Sequence, residues 1–250
     1  MKMKSFFSKK ILIAVAVISS ISLQSCLDDD DNYYGMRYPN ALVTVKTDAD
    51  QTVFLQLDDK TTLLPTNMKK SPYGEKEVRA LVNYEEVDEP SDIYNQAVHI
   101  NWIDSILTKT IAPDLGEEND AIYGTDPVEI VNDWVTIAED GYLTLRFRTM
   151  QGNYSTKHFV NLLLSKNPEN PYEVEFRHNA NGDTYGSEMD GLVAFKLDAL
   201  PDTEGKTVKL KLKWKSYSGE KSAEFDYCTR KSVTPESSAV TAVRNNLNLQ

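Results

Sequence analysis

Between Tyr142 and Arg148 the chain alternates without interruption. Leu143, Leu145 and Phe147 fall on one parity, and Tyr142, Thr144, Arg146 and Arg148 on the other. The pattern returns from Thr207 to Lys215, where Val208, Leu210, Leu212 and Trp214 are interleaved with Lys209, Lys211, Lys213 and Lys215. Successive side chains of a strand point to opposite faces, so a period of two collects the apolar groups on one side of a sheet. Strands with one dry and one wet face belong to antiparallel sheets. The stretches His158 to Leu164, Tyr172 to Arg177 and Leu192 to Leu197 read as further strands. Asn181-Gly182 marks a turn inside a long loop. Lys206 to Ser216 and Glu220 to Tyr227 flank Tyr217-Ser218-Gly219 as a hairpin. About seven strands with few helical connections predict a β-sandwich for this half of the chain.

The first half carries shorter strand signals. These are Ala41 to Lys46, Thr52 to Leu57, Leu63-Leu64 ending at Pro65, Glu77 to Tyr84, and Ala97 to Ile103. In the last of them Val98, Ile100 and Trp102 share one face, which leaves His99 on the polar one. About five strands of this length predict a small closed barrel, which removes the sheet edges. The run Pro113 to Asp120 is polar and acidic and holds both Pro and Gly, so it reads as a boundary. The expected organisation is a signal segment at 1–25, an acidic tether at 26–40, a barrel at 41–115, a sandwich at 120–228 and a frayed tail at 229–250.

The N-terminal segment points to export. Lys2, Lys4, Lys9 and Lys10 precede an apolar run from Ile11 to Leu23. That run is short for a membrane span, and a basic start with a brief apolar core makes a secretory signal. Leu23-Gln24-Ser25-Cys26 resembles the lipobox of bacterial lipoproteins, with Gln24 standing where a small residue is usual. Cleavage before Cys26 and acylation of its thiol follow as expectations, because multiple acyl chains give stable anchoring. Only one other cysteine exists, Cys228. Acylation of Cys26 would leave it unpaired, whereas a Cys26–Cys228 bridge is the alternative. Asp28, Asp29, Asp30 and Asp31 follow at once; they repel one another and favour a solvated tether. The run also resembles the acidic export signal that places Bacteroidota lipoproteins on the outer face of the outer membrane.

Removing residues 1–25 takes away four lysines and no acid, which moves the formal charge from −11 to −15. Such a body is a poor partner for nucleic acid or for anionic lipid headgroups.

The order of these features, with Gly124-Thr125-Asp126-Pro127-Val128-Glu129-Ile130 through Trp134-Val135 and then Gly141-Tyr142-Leu143-Thr144-Leu145-Arg146-Phe147, resembles the NigD-like lipoproteins of Bacteroidota. The resemblance implies an OB-like barrel followed by an antiparallel β-sandwich, an all-β chain. It also implies an immunity role, and it supplies no catalytic residues.

A search for chemistry returns little. His99, His158 and His178 are far apart and lack metal-ligand spacing. There is no P-loop, H-E-x-x-H or G-x-S-x-G pattern. Ser218-Gly219-Glu220-Lys221 matches S-x-x-K only as a hairpin tip, and the oxygens of Asn179 to Asp183 fall short of a calcium loop. Trp102, Trp134 and Trp214 read as core residues. Asp104-Ser105-Ile106 fits the short acceptor pattern of Bacteroidota O-glycosylation, which makes Ser105 a candidate acceptor. The expected protein is a non-enzymatic envelope lipoprotein with no cofactor and no metal. It would bind a protein or surface partner, with immunity against a bacteriocin-like toxin as the specific form. The alternative is a glycan-binding component of an outer-membrane uptake system.

Overall fold

The computed structural model describes residues 38–89, 91 and 93–230. The signal segment, Cys26, the aspartates at 28–31 and residues 231–250 lie outside the described residues. The regular structure of the described residues is nearly all strand. β1 (Ala41–Thr47), β2 (Val53–Gln56), β3 (Thr62–Pro65), β4 (Val78–Glu86) and β5 (Gln96–Ser105) close a barrel in the order β1-β2-β3-β5-β4. Val43, Val45, Leu55, Leu63, Ala80, Val82 and Val98 fill it, all but inaccessible to solvent. Asparagine side chains extend the ladders where strands diverge. Asn67 both donates to the Ile100 carbonyl and accepts from its N–H, at 2.9 Å each way. Asn40 does the same to Tyr84.

A single residue, Ile106, separates the barrel from the second architecture, for β6 (Leu107–Thr110) is already paired in parallel with β12 (Ser187–Lys196). β9 (Tyr142–Gln151) lies beside β12, and two short strands, β7 (Glu129–Val131) and β8 (Ile137–Glu139), share its other edge. The facing sheet runs β10 (Phe159–Leu164), β11 (Glu173–Asn179), β13 (Val208–Ser216) and β14 (Gly219–Tyr227). Leu143, Leu145 and Phe147 meet Leu162, Phe176, Leu210 and Leu212 in one core, on the parity the sequence assigns them. The polar run Pro113 to Asp120 forms a 3-10 turn at Gly116–Glu118 and opens α1 (Asn119–Tyr123). Asp114 accepts from the Gly116 N–H and the Asn119 amide, so this segment satisfies its own polar groups locally. The outer edge of β10 is blocked: Ala112 N–H donates to the Leu162 carbonyl, and the Lys109 ammonium donates to the Val160 carbonyl. A covered edge cannot pair with a stray strand.

One expectation about the tryptophans needs correction, and one arginine departs from what strand parity alone would give. Trp214 is buried, but Trp134 is 53% exposed, because the short β7–β8 connection holds it outside either core. Arg79 sits on the polar parity of β4, where an isolated barrel would leave it wet, yet it has no exposed surface at all. The sandwich packs on that face. Leu42, Leu81 and Ile106 meet Val135, Tyr142 and Ala194. Arg79 donates to Glu139 at 2.9 Å, to Thr44 at 3.1 Å and to Thr144 at 3.4 Å. The β8–β9 turn, Asp140-Gly141, uses left-handed backbone (φ 49 and 74) and reaches into the barrel. There the Asp140 carboxylate takes a 2.7 Å bond from Lys46, and its N–H donates to Asp59. Burial lowers the Lys46 pKa, while Asp140 opposes that shift. From the far end of the described chain Arg230 donates to Glu77, which also accepts from the Tyr142 hydroxyl at 2.6 Å. The tail expected to fray from residue 229 therefore begins with an anchored Arg230.

Candidate functional site

The second concentration of polar contacts lies at the opposite end of β9, where the 152–158 and 180–186 loops meet the segment Gly124 to Val128. That segment fills the place where β11 and β13 separate. Beyond Phe176 and Trp214 the two strands are no longer paired to each other. Instead Asp126 N–H donates to the His178 carbonyl at 2.9 Å, and Val128 N–H to the Lys215 carbonyl at 3.0 Å. A β-carbon on Gly124, whose φ is +78, would stand 2.4 Å from the His178 carbonyl oxygen, so only glycine fits. The Asp126 carboxylate receives the Ala180 N–H at 2.8 Å, and Glu129 receives the Ser216 hydroxyl and the Lys221 ammonium, each at 2.8 Å. The Gly-Thr-Asp-Pro-Val-Glu run thus completes a sheet.

Two histidines meet here although twenty residues part them in sequence. The antiparallel register of β10 and β11 sets Val160 opposite His178, so residue 158 arrives beside it. His158 Nδ1 and His178 Nε2 are 3.0 Å apart. Asp183 lies next to them, with Oδ2 in a long polar contact of 3.5 Å with His158 Nε2. The shorter bonds of Asp183 are to backbone: it accepts from Gly152 N–H at 2.9 Å and Asn153 N–H at 3.0 Å, which holds its carboxyl below the usual range. His178 is pushed down to about 4, first by burial and then by the neighbouring His158. At neutral pH it is therefore an uncharged imidazole. Asn181 donates to the Lys157 carbonyl and completes the tie between the two loops.

These groups do not converge on an open reaction centre. His178 is 2% exposed and Asp183 6%. Among the described residues no group of three or more His, Cys, Asp or Glu side chains is arranged to hold a metal ion. Asp183, the carboxylate of the calcium-like Asn179–Asp183 stretch, is occupied by two amides instead. At the S-x-x-K match, Ser218 faces the Ser216 hydroxyl, and Lys221 is paired with Glu129. His99 is exposed on the barrel and faces Asn67, as its strand parity predicts. Ser105 is the exposed last residue of β5, directly before buried Ile106. Among the described residues Cys228 has no disulfide partner. The sequence reading missed the His158–His178 pair; the available signal was the likelihood of a β10–β11 hairpin, which fixes their separation.

Against known proteins, residues 42–106 match the NigD-like N-terminal OB domain and residues 110–227 the NigD-like C-terminal beta sandwich domain. A solved structure from Parabacteroides distasonis, described as a toxin-related protein, is 38% identical, covers 76% of this chain and 92% of its own, and superposes with a TM-score of 0.64. A NigD-like immunity protein from Bacteroides caccae is 22% identical over 75% of this chain and 96% of its own, with a TM-score of 0.55. A Bacteroides fragilis protein described as a lipoprotein is 18% identical over 76% and 98%, with a TM-score of 0.52. These last two show the shared fold. No curated protein matches the chain. A barrel of the OB type joined to a β-sandwich defines a class of two-domain β proteins, and the matched models cover both halves. The chain belongs to the NigD-like family.

Proposed function

We propose that this protein is a non-enzymatic lipoprotein, anchored through Cys26 in the outer membrane and displayed on the cell surface, that protects its cell by binding a bacteriocin-like toxin. The observation that carries the reading is the employment of its chemistry-bearing side chains. His158, His178 and Asp183 fix two loops, and Arg79, Lys46 and Asp140 fix the junction of the domains. Groups committed to one geometry serve a preformed binding surface rather than proton transfer, for which a base must reach a substrate. The immunity description of the Bacteroides caccae protein gives the reading its specific form. Deletion of the gene in the native host should sensitise cells to culture supernatant of competing strains, and wild-type protein should restore resistance while Cys26→Ala should not. An unchanged survival curve after deletion overturns the protective role.

Display follows from Asp28, Asp29, Asp30 and Asp31: protease added to intact cells should cleave the wild type and spare a variant with all four replaced by alanine. Ser105 is proposed as a glycan acceptor because it is exposed at a strand end; an unmodified peptide from the native host would end that assignment. A second reading, glycan binding, draws on Trp134, exposed beside the Asp133–Arg146–Asp190 charge cluster. An aromatic face next to planar polar groups suits a sugar. Retardation in affinity electrophoresis by envelope polysaccharide, lost in Trp134→Ala, would favour it.

A further inference from the structure

The chain is 26% charged, yet three stretches at one end of the sandwich are nearly free of charge. These are Gly152-Asn153-Tyr154-Ser155-Thr156, Asn179-Ala180-Asn181-Gly182-Asp183-Thr184-Tyr185-Gly186-Ser187, and Ser216-Tyr217-Ser218-Gly219. Their only ionisable acid or base is Asp183, which is buried on backbone amides. Each stretch contributes one exposed tyrosine: Tyr154 at 76%, Tyr185 at 74% and Tyr217 at 50%.

The three lie together. The backbone carbonyl of Tyr185 is 2.7 Å from where a β-carbon on Gly152 would stand, two residues before Tyr154. The Tyr217 hydroxyl accepts from Met150 N–H at 3.0 Å, two residues before Gly152 on the other side. A strand advances about 3.3 Å per residue, so these attachment points fall within about 15 Å of one another. The same measure puts them about 30 Å along β9 from Tyr142, where the barrel packs. They crown the end of the sandwich away from the barrel, to which the first described strand, β1, belongs.

Tyrosine presents a large amphipathic contact area at small entropic cost, and serine, glycine and asparagine supply adaptable hydrogen bonds. Loops of that composition on the end of a β-sandwich form the binding surface of antibody domains. Here the loops are also held before any partner arrives, by Asp183 on Gly152 and Asn153, Asn181 on Lys157 and the His158–His178 contact. A preordered surface loses less entropy on association. Rings exposed by three-quarters project from the surface and suit insertion into hollows of a folded partner. The loop tips carry no charge, and the exposed residues that border them, Lys157, Lys215, Glu188 and Glu220, are of mixed sign. That disfavours a polyelectrolyte, whose recognition needs concentrated cations.

We propose that Tyr154, Tyr185 and Tyr217, on uncharged loop tips, form a preordered surface that binds a folded protein. The proposal rests on the reading that this protein works by protein contact, and it assigns the face that makes it. The test uses the full-length lipoprotein in its native host, with a photoreactive phenylalanine analogue placed in turn at Tyr154, Tyr185, Tyr217 and, as an exposed control on the barrel, Tyr38. Cells are exposed to supernatant of competing strains and irradiated. Adducts of one common mass at all three loop positions and none at Tyr38 are expected. The adduct's protein, purified, should bind wild type at least about 30-fold more tightly than the triple variant Tyr154→Ser/Tyr185→Ser/Tyr217→Ser. That affinity should change less than about twofold between low and high salt. Adducts at Tyr38 alone, or at none of the three loop positions, overturn the proposal. So does retention of polysaccharide that depends on the three tyrosines. If deletion sensitises cells and the correctly folded triple variant protects them fully, the face is wrong and the protective reading stands. If deletion changes nothing while the loop adducts form, the reverse holds.

Discussion

At one end of β9, Tyr142 lies under the Arg230 guanidinium and donates its hydroxyl to Glu77. At the other end Gln151 runs into Gly152-Asn153-Tyr154-Ser155-Thr156, which carries no charge. The first end is closed by ionised groups taken out of water, where each must be matched by a partner: Arg79 by Glu139 and two threonine hydroxyls, Lys46 by Asp140. The second end hides one acid and two histidines beneath tyrosines that remain in solvent. Buried charge makes a junction sensitive to loss of any member, since an abandoned partner stays desolvated. An exposed aromatic such as Tyr154 or Tyr185 leaves nothing unpaired when removed, whereas loss of Tyr217 takes the acceptor from the Met150 N–H. The contrast predicts where substitution will destabilise the fold and where it will alter only binding.

The largest effect should come from the junction. Arg79→Ala leaves the Glu139 carboxylate and two hydroxyls without their donor and is expected to cost about 3 kcal/mol, read from denaturant midpoints. A loss below that of a surface arginine would break the contrast. Next comes the histidine pair. With a free imidazole near 6.5 and His178 lowered to about 4 in the fold, the unfolded chain binds a proton that the native state refuses. Stability present above pH 6.5 is therefore lost as pH falls toward 4, by up to about 3 kcal/mol. His178→Phe should flatten that limb of the stability curve. Arg230→Ala releases Glu77 and the aromatic face of Tyr142 at a partly exposed site, with an expected loss of about 1 kcal/mol. Asp183→Asn should speed hydrogen exchange at the Gly152 and Asn153 amides while leaving the Ala41–Thr47 strand protected. Smallest of all, Tyr154→Ser and Tyr185→Ser should each move stability by less than about 0.5 kcal/mol. A larger shift would mean these rings support the fold rather than a partner.

The strands that could be read from sequence are those whose two faces meet different media. Leu143, Leu145 and Phe147 alternate with polar residues, and so do Leu210, Leu212 and Trp214, and both are found where parity places them. Short strands escape this test: β7 and β8 have three residues each and no room for a pattern. Parity also misleads where the wet face is covered by another domain. Arg79 and Thr44 look solvent-facing within the barrel, and the covering surface comes from Glu139 and Thr144, far along the chain. The histidine pair depends on strand register, which spacing alone does not supply. The loop tyrosines were visible as letters, but nothing in their separate positions indicated that Gly152 and Tyr185 would adjoin.

The Gly124–Val128 insertion has a consequence in time. The sheet it completes needs β11, β13 and this earlier segment to be assembled together, while Leu107 must wait for Val193 to complete the other sheet. The hairpins β8–β9, β10–β11 and β13–β14 can form between sequence neighbours, but the pairings that join them into sheets cannot. Chains dominated by such distant pairings fold slowly, on the order of milliseconds to seconds. The finished fold is reached only when the late strands β12 and β13 have joined the earlier β6 and β11.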